Sequence, residues 1–74
     1  MSDAAETYGR LARWAKAAPG RKYVRDWATE ASAAAYRHRC RLLVRGKVRA
    51  VGIANFPDHA IAKALKRFEE DHPE

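Results

Sequence analysis

Large aliphatic side chains are scarce in this sequence of 74 residues. Leu, Ile, Val and Phe together occur 12 times, whereas alanine alone occurs 16 times. A short chain with so few bulky apolar residues can bury only a thin core. We therefore expect one small domain over residues 1–74, with frayed ends at 1–4 and 71–74. A thin core also favours a homodimer, in which a second copy covers exposed surface.

Cysteine is nearly absent as well, and long apolar runs and metal-binding spacings are missing. Cys40 is the single cysteine, so no internal disulfide can form. We recognise no secretory signal. No apolar run approaches the roughly 18 residues that a membrane span requires. His38, His59 and His72 are too far apart for a zinc motif, and the four glycines form no phosphate-binding loop. The sequence predicts a cytoplasmic protein without membrane contact, metal or cofactor.

Acidic residues are few and unevenly placed. Lysine and arginine number 15 against 9 acids, a net charge of +6. Between Arg10 and Arg49 there are 12 basic residues and only two acids, Asp26 and Glu30, whereas residues 69–74 contain four acids and no base. The chain therefore has a basic body and an acidic end. Its ten arginines suit bidentate contacts with phosphates or carboxylates, so a polyanionic partner is expected.

Two segments have the apolar spacing of an amphipathic helix, at i, i+3, i+4 and i+7. In the first, the stripe comprises Tyr8, Leu11, Ala12 and Ala15. In the second, it comprises Ile61, Ala64, Leu65 and Phe68. Pro19-Gly20 ends the first helix. Asn55 caps the second, which cannot continue past Pro73.

Residues 21–36 have a mixed pattern. Val24, Trp27, Ala28 and Ala31 fit a helical stripe, and the alanines that follow favour a helix. Several side chains in this stretch are of strand-forming types, but they do not alternate with polar residues. The periodicity therefore predicts a second helix here, with a first strand as the alternative.

From Arg37 the apolar period changes to two, which indicates a strand with one buried face. Its inward positions are His38, Cys40, Leu42 and Val44. We expect a hairpin with a Gly46-Lys47 turn and a return strand over 48–54, in which Val51 and Ile53 lie beside Leu42 and Cys40. The fold class is therefore α+β, with helices packed on one side of an antiparallel hairpin.

A row of basic residues on the predicted hairpin is the candidate binding site. It comprises Arg37, Arg39, Arg41, Arg45, Lys47 and Arg49. The i, i+2, i+4 spacing of the first three places them about 6.5–7 Å apart on one strand face, where they can neutralise successive phosphates. A solvated surface usually mixes its charges, and no acid interrupts residues 37–49. Arg10, Arg13 and Lys16 form a secondary basic patch on the first helix.

The sequence contains few residues that could act in catalysis. His38 and Cys40 fall on the apolar strand face, and His59 stands beside Asp58 in the first turn of a helix, so each has a structural explanation. In a domain with so few aliphatic residues, Trp14 and Trp27 are expected in the core. The sequence therefore predicts a binding protein and not an enzyme.

Residues 46–68 resemble the C-terminal half of a double-stranded RNA-binding domain. The resemblance is carried by Gly46-Lys47-Val48, Gly52, Ala60, Ala64 and Phe68. It implies an α-β-β-β-α fold with a first strand over 22–30, which begins near Tyr23. The lysines with which that family contacts RNA are replaced here by Pro57, Asp58 and Ile61, so the resemblance extends to the fold and not to those contacts.

A three-stranded sheet with a packed helix is also similar to plant AP2-type and integrase arm-binding domains, which insert an open sheet face into a DNA major groove. These likenesses and the arginine row predict a small basic nucleic-acid-binding module, for either DNA or RNA. The alternative is an interaction protein, like the small phage inhibitors that include anti-CRISPR proteins. Such a protein would use the same arginines on an acidic protein surface or in the nucleic-acid channel of a nucleoprotein complex.

Overall fold

The computed structural model describes residues 4–30 and 35–71, which form two helices and one antiparallel sheet. The elements are α1 (Ala4–Lys16), β1 (Arg21–Glu30), β2 (Ala35–Val44), β3 (Lys47–Ala54) and α2 (Pro57–Asp71). The strand order is β1-β2-β3. The α+β class is therefore confirmed. The predicted frayed ends fall mainly outside the described residues, although Ala4 and Asp71 are helical.

Both helices lie on the same side of the sheet. Helix α2 packs across β3 and β2, and α1 contacts both β1 and α2. The predicted stripe of α2 is buried throughout, together with Ala60. On α1, Leu11 and Trp14 are buried, whereas Ala12 is exposed. Trp14 thus occupies the core as expected, and its ring meets that of Phe68 edge-on at 5.2 Å between centroids.

The predicted second helix is wrong over residues 21–30, which form β1, and over 35–36, which begin β2; residues 31–34 lie outside the described part of the chain. Strand β1 pairs with β2 over ten consecutive residue pairs, from Arg21 opposite Val44 to Glu30 opposite Ala35. An edge strand covered on only part of one face does not need strict apolar alternation, which explains the misleading pattern. Hydrogen bonding to β2 overrides the helical spacing. The element order is therefore the α-β-β-β-α alternative.

The hairpin turn lies one residue earlier than the sequence predicts. Arg45 and Gly46 form it, with φ angles of 52° and 82°, as a two-residue turn of the I′ kind requires. The predicted register is wrong by one residue, because the earlier turn alone would shift the pairing by two positions and an irregularity in the strand takes one of them back. Leu42 lies opposite Ala50, Cys40 lies opposite Gly52, and an irregularity follows between Leu42 and Leu43. A shift of one residue exchanges the two faces of a strand.

The packing of α2 against Gly52 explains the observed register of β2 and β3. This residue faces α2, and a Cβ there would overlap the Ala60 carbonyl oxygen and approach the Ala64 nitrogen to 2.5 Å. Only glycine allows α2 to lie this close to β3. Val51 and Ile53, which were expected beside Leu42 and Cys40, are therefore on the opposite face. The inward positions of β2 itself are as predicted, since Cys40 and Leu42 are buried and Val44 packs against the core.

Candidate nucleic-acid interface

The sheet has one face that carries no helix in the described part of the chain, and we call it the open face. Because side chains alternate along a strand, the residues between the buried positions of β2 point to this side. They are Arg37, Arg39, Arg41 and Leu43. The strand pairings add Lys22, Val24, Asp26 and Ala28 from β1, and Val48, Val51 and Ile53 from β3.

Three of the six predicted row residues are therefore brought together on the open face. Arg37, Arg39 and Arg41 follow one another along the central strand, and each is half-buried. Aliphatic residues of the flanking strands lie opposite two of them, with Val24 and Val51 opposite Arg41 and Ile53 opposite Arg39. Central placement holds the three guanidinium groups on a rigid part of the sheet, which favours simultaneous contact with a repeating anion.

The other three row residues lie at the hairpin end. Arg45 is in the turn, where its backbone nitrogen donates to the Gly20 carbonyl at 2.8 Å, and Arg49 lies at the register irregularity. Arg45, Lys47 and Arg49 line one surface depression together with Arg21. The predicted continuous row is therefore two groups of cations, because the strand ends at Val44.

An acid that the sequence did not associate with the row lies within it. Asp26 of β1 stands opposite Arg39, which donates to both carboxylate oxygens, from Nε at 2.7 Å and from Nη2 at 2.8 Å. Arg41 donates from Nη2 to Asp26 Oδ2 at 3.0 Å. The hydrogen bond from Arg39 is the main reason that the pKa of Asp26 lies below its ordinary value, and the same bond raises the pKa of Arg39.

Asp26 orients two arginines and cancels part of their charge. Among the open-face side chains that the structure describes, four are cationic and Asp26 is the one acid. A clear positive excess therefore remains. No spacing rule could reveal Asp26, because residues 21–36 were interpreted as a helix. Lys22, which is exposed on the same face, was missed for the same reason.

The secondary patch on α1 is exposed at all three positions, Arg10, Arg13 and Lys16. Arg10 and Arg13 line a shallow depression with Arg21 and Glu69. Arg21 itself stacks on core rings, with its guanidinium carbon 4.9 Å from the Trp14 centroid and 5.1 Å from that of Phe68. This patch is separate from the open face and lies on the helical side.

Trp27 is not in the core, contrary to the sequence prediction. Its side chain is 64% exposed on the helical side of β1, with the His38 ring 6.2 Å away. These residues line a cavity of about 250 Å³ with Tyr8, Arg25 and Pro57. Only the pairing of β1 with β2 places Trp27 in this partly open cavity, beside residues of both helices but not buried by them.

The candidate reactive groups have ordinary surroundings. Cys40 is buried, and loss of solvation raises the pKa of its thiol to about 11, which disfavours the nucleophilic thiolate. His59 Nε2 is 3.9 Å from Asp58 Oδ2, which is too far for a hydrogen bond. Within residues 4–30 and 35–71, no group of three or more His, Cys, Asp or Glu residues could hold a metal ion. No helix described there is long and apolar enough to cross a membrane.

The chain was also compared with known proteins. No family model, curated protein or solved structure matches it. The resemblance of residues 46–68 to double-stranded RNA-binding domains therefore stays a prediction.

Proposed function

We propose that this chain is a non-catalytic module that binds nucleic acid through the open face of its sheet. The observation that carries the proposal is the placement of Arg37, Arg39 and Arg41 side by side on the central strand, on a face with no helix over it in the described residues. Phosphate groups are the anions that repeat along a nucleic-acid strand. Cations on one rigid strand can contact several of them and release their counterions.

The electrostatics of the face support the same ligand. Arg39 and Arg41 share one carboxylate, so two guanidinium groups are oriented by a single negative charge and keep donors for another acceptor. Lys22 adds a further exposed cation on the neighbouring strand. Aliphatic side chains between the cations can contact sugars or base edges.

The test is direct binding of labelled double- and single-stranded DNA and RNA, measured by fluorescence anisotropy. The affinity should fall steeply between about 50 and 200 mM salt, because counterion release dominates such binding. The variant Arg37→Gln/Arg41→Gln removes two open-face charges while leaving the bidentate bond between Arg39 and Asp26. We expect it to weaken binding at least tenfold and to lower the salt dependence.

The matched control is Lys66→Glu, which lowers the net charge by the same two units at an exposed position of α2 outside both basic groups. If both variants lose affinity equally, net charge and not the open face determines binding. Absence of binding to all four probes at low salt would refute the proposal.

A second candidate is an interaction protein that uses the open face on an acidic protein surface or in the channel of a nucleoprotein complex. The observation in its favour is the aliphatic character around the arginines, with Val24 and Val48 38% and 47% exposed. Protein interfaces combine such apolar contacts with arginine. Capture of a partner from a nuclease-treated lysate, abolished by Arg37→Gln/Arg41→Gln, would favour this function if the bare nucleic acids do not bind.

A further inference from the structure

The two outer strands of the sheet differ in how their edges are protected. On β3, side chains of α2 occupy backbone carbonyls: Arg67 Nη1 donates to the Val51 oxygen at 2.6 Å, and Lys63 Nζ donates to the Ile53 oxygen at 3.2 Å. These bonds take acceptors that an added strand would need. Such covering is a usual way to prevent pairing at a sheet edge.

The β1 strand forms the opposite edge of the sheet, where no described strand pairs with it, and α1 contacts it on the helical side. Its pairing with β2 runs over ten residues without a register shift. A long and regular edge strand is a ready template for another strand, since unpaired backbone donors and acceptors alternate along it.

Exposed apolar side chains concentrate on this edge. Among the described residues, five large hydrophobic side chains are exposed, and three of them belong to β1: Tyr23, Val24 and Trp27. Trp27 is the most exposed of the five, at 64%. A single exposed aromatic residue is ordinary, but three on one unprotected strand indicate a surface that is covered by a partner.

We propose that the partner is a second copy of this chain, which pairs antiparallel through β1 about a two-fold axis at Asp26 and makes one six-stranded sheet. A two-fold axis perpendicular to the sheet keeps each face on its own side, so residues of one face pair with each other. In this register Arg25 lies opposite the partner's Trp27, and Val24 lies opposite the partner's Ala28.

Charge and aromatic stacking favour a two-fold axis at Asp26 over one at Arg25. The Arg25 guanidinium carbon is already 4.9 Å from the centroid of the Tyr8 ring. The partner's Trp27 would cover its other side, so that the cation lies between two aromatic rings. An axis at Arg25 would instead place two arginines opposite each other with no described acid on that face to offset them. At Asp26 the two facing carboxylates are each held by Arg39 and Arg41, which offset their repulsion.

The dissociation constant of the dimer is measured by sedimentation velocity over a concentration series. Trp27→Ala should weaken dimerisation at least tenfold, because a buried aromatic contact at the centre of an interface contributes strongly. Phe56→Ala is the matched control, since Phe56 is 59% exposed but lies outside β1. A protein that stays monomeric up to about 1 mM, or a Trp27→Ala variant that dimerises like the wild type, would overturn the proposal.

Cross-linking tests the register independently. In Val24→Cys/Ala28→Cys each new thiol faces its partner's counterpart, so mild oxidation should give a covalent dimer. The two positions within one chain are about 13 Å apart, too far for an internal disulfide. Buried Cys40, with its raised pKa, does not compete. The single variant Val24→Cys should stay uncross-linked, and equal cross-linking of both variants would contradict the axis at Asp26. Neither result depends on nucleic-acid binding.

Discussion

The two faces of the sheet are built from the same strands and have opposite character. Where α2 packs on it, the helix-covered face has small or apolar residues, with Leu42 fully buried and Gly52 in direct contact with the α2 backbone. The open face carries arginines that are oriented by Asp26 and flanked by aliphatic side chains. We therefore expect stability to depend on side-chain volume on the covered face and only weakly on charge on the open face. This division lets a chain with few large aliphatic residues fold and still present a binding surface.

The largest expected effect is on the covered face, at Gly52. Gly52→Val places a branched side chain where even a Cβ overlaps the α2 backbone. We expect the free energy of unfolding to fall by about 3 kcal/mol or more, because overpacking against backbone forces the helix away from the sheet. Urea denaturation followed by circular dichroism measures this loss.

Gly9→Ala is the control for that substitution. Gly9 is in α1, and a Cβ there approaches only the flexible Arg13 side chain, at 3.3 Å. Alanine should stabilise the helix by up to about 1 kcal/mol. A Gly52→Val protein as stable as the wild type would show that α2 does not pack this closely on β3.

Substitutions at two adjacent leucines of β2 compare the covered face and the open face directly. Leu42→Ala removes a fully buried side chain and should cost about 2–5 kcal/mol. Leu43→Ala makes the same chemical change on the open face, where the side chain is only half-buried, and should cost about 1 kcal/mol or less. Equal losses in urea denaturation would mean that the open face is covered in solution.

The smallest effect on stability is expected at Asp26, where charge and not volume changes. Asp26→Asn removes the carboxylate that pairs with Arg39 and Arg41. Because the pKa of Asp26 is lowered in the folded protein, its contribution to stability is present at neutral pH and is lost as the pH falls through that lowered pKa. The stabilities of the wild type and the variant should therefore differ at pH 7 and converge in acid. A difference that persists in acid would contradict an ionic role.

The same variant has an opposite effect on the proposed function. Removal of the carboxylate raises the positive charge of the open face and releases two guanidinium groups, so nucleic-acid affinity should rise. Anisotropy at fixed salt measures the change. A loss of affinity would indicate that orientation of the arginines by Asp26 matters more than their charge.

The correct and incorrect predictions have different physical origins. Helices α1 and α2 were predictable because a buried helix face needs apolar residues at i, i+3 and i+4, and Ile61, Leu65 and Phe68 show that spacing. The inward positions of β2, such as Cys40 and Leu42, followed from alternation in the same way. The edge strand β1 has no such requirement, since little of it is buried, and its residues were therefore misassigned.

By itself, the sequence determined the fold class, the two helices and the arginine face of β2, because local periodicity records which side of each element is buried. Only the tertiary structure decided that residues 21–30 are a strand, that Asp26 lies between Arg39 and Arg41, and that Trp27 is exposed. It also decided the hairpin register, through the close contact of Gly52 with α2. These features depend on which residues meet across strands and helices, and pairings between distant segments leave no periodic pattern in a single chain.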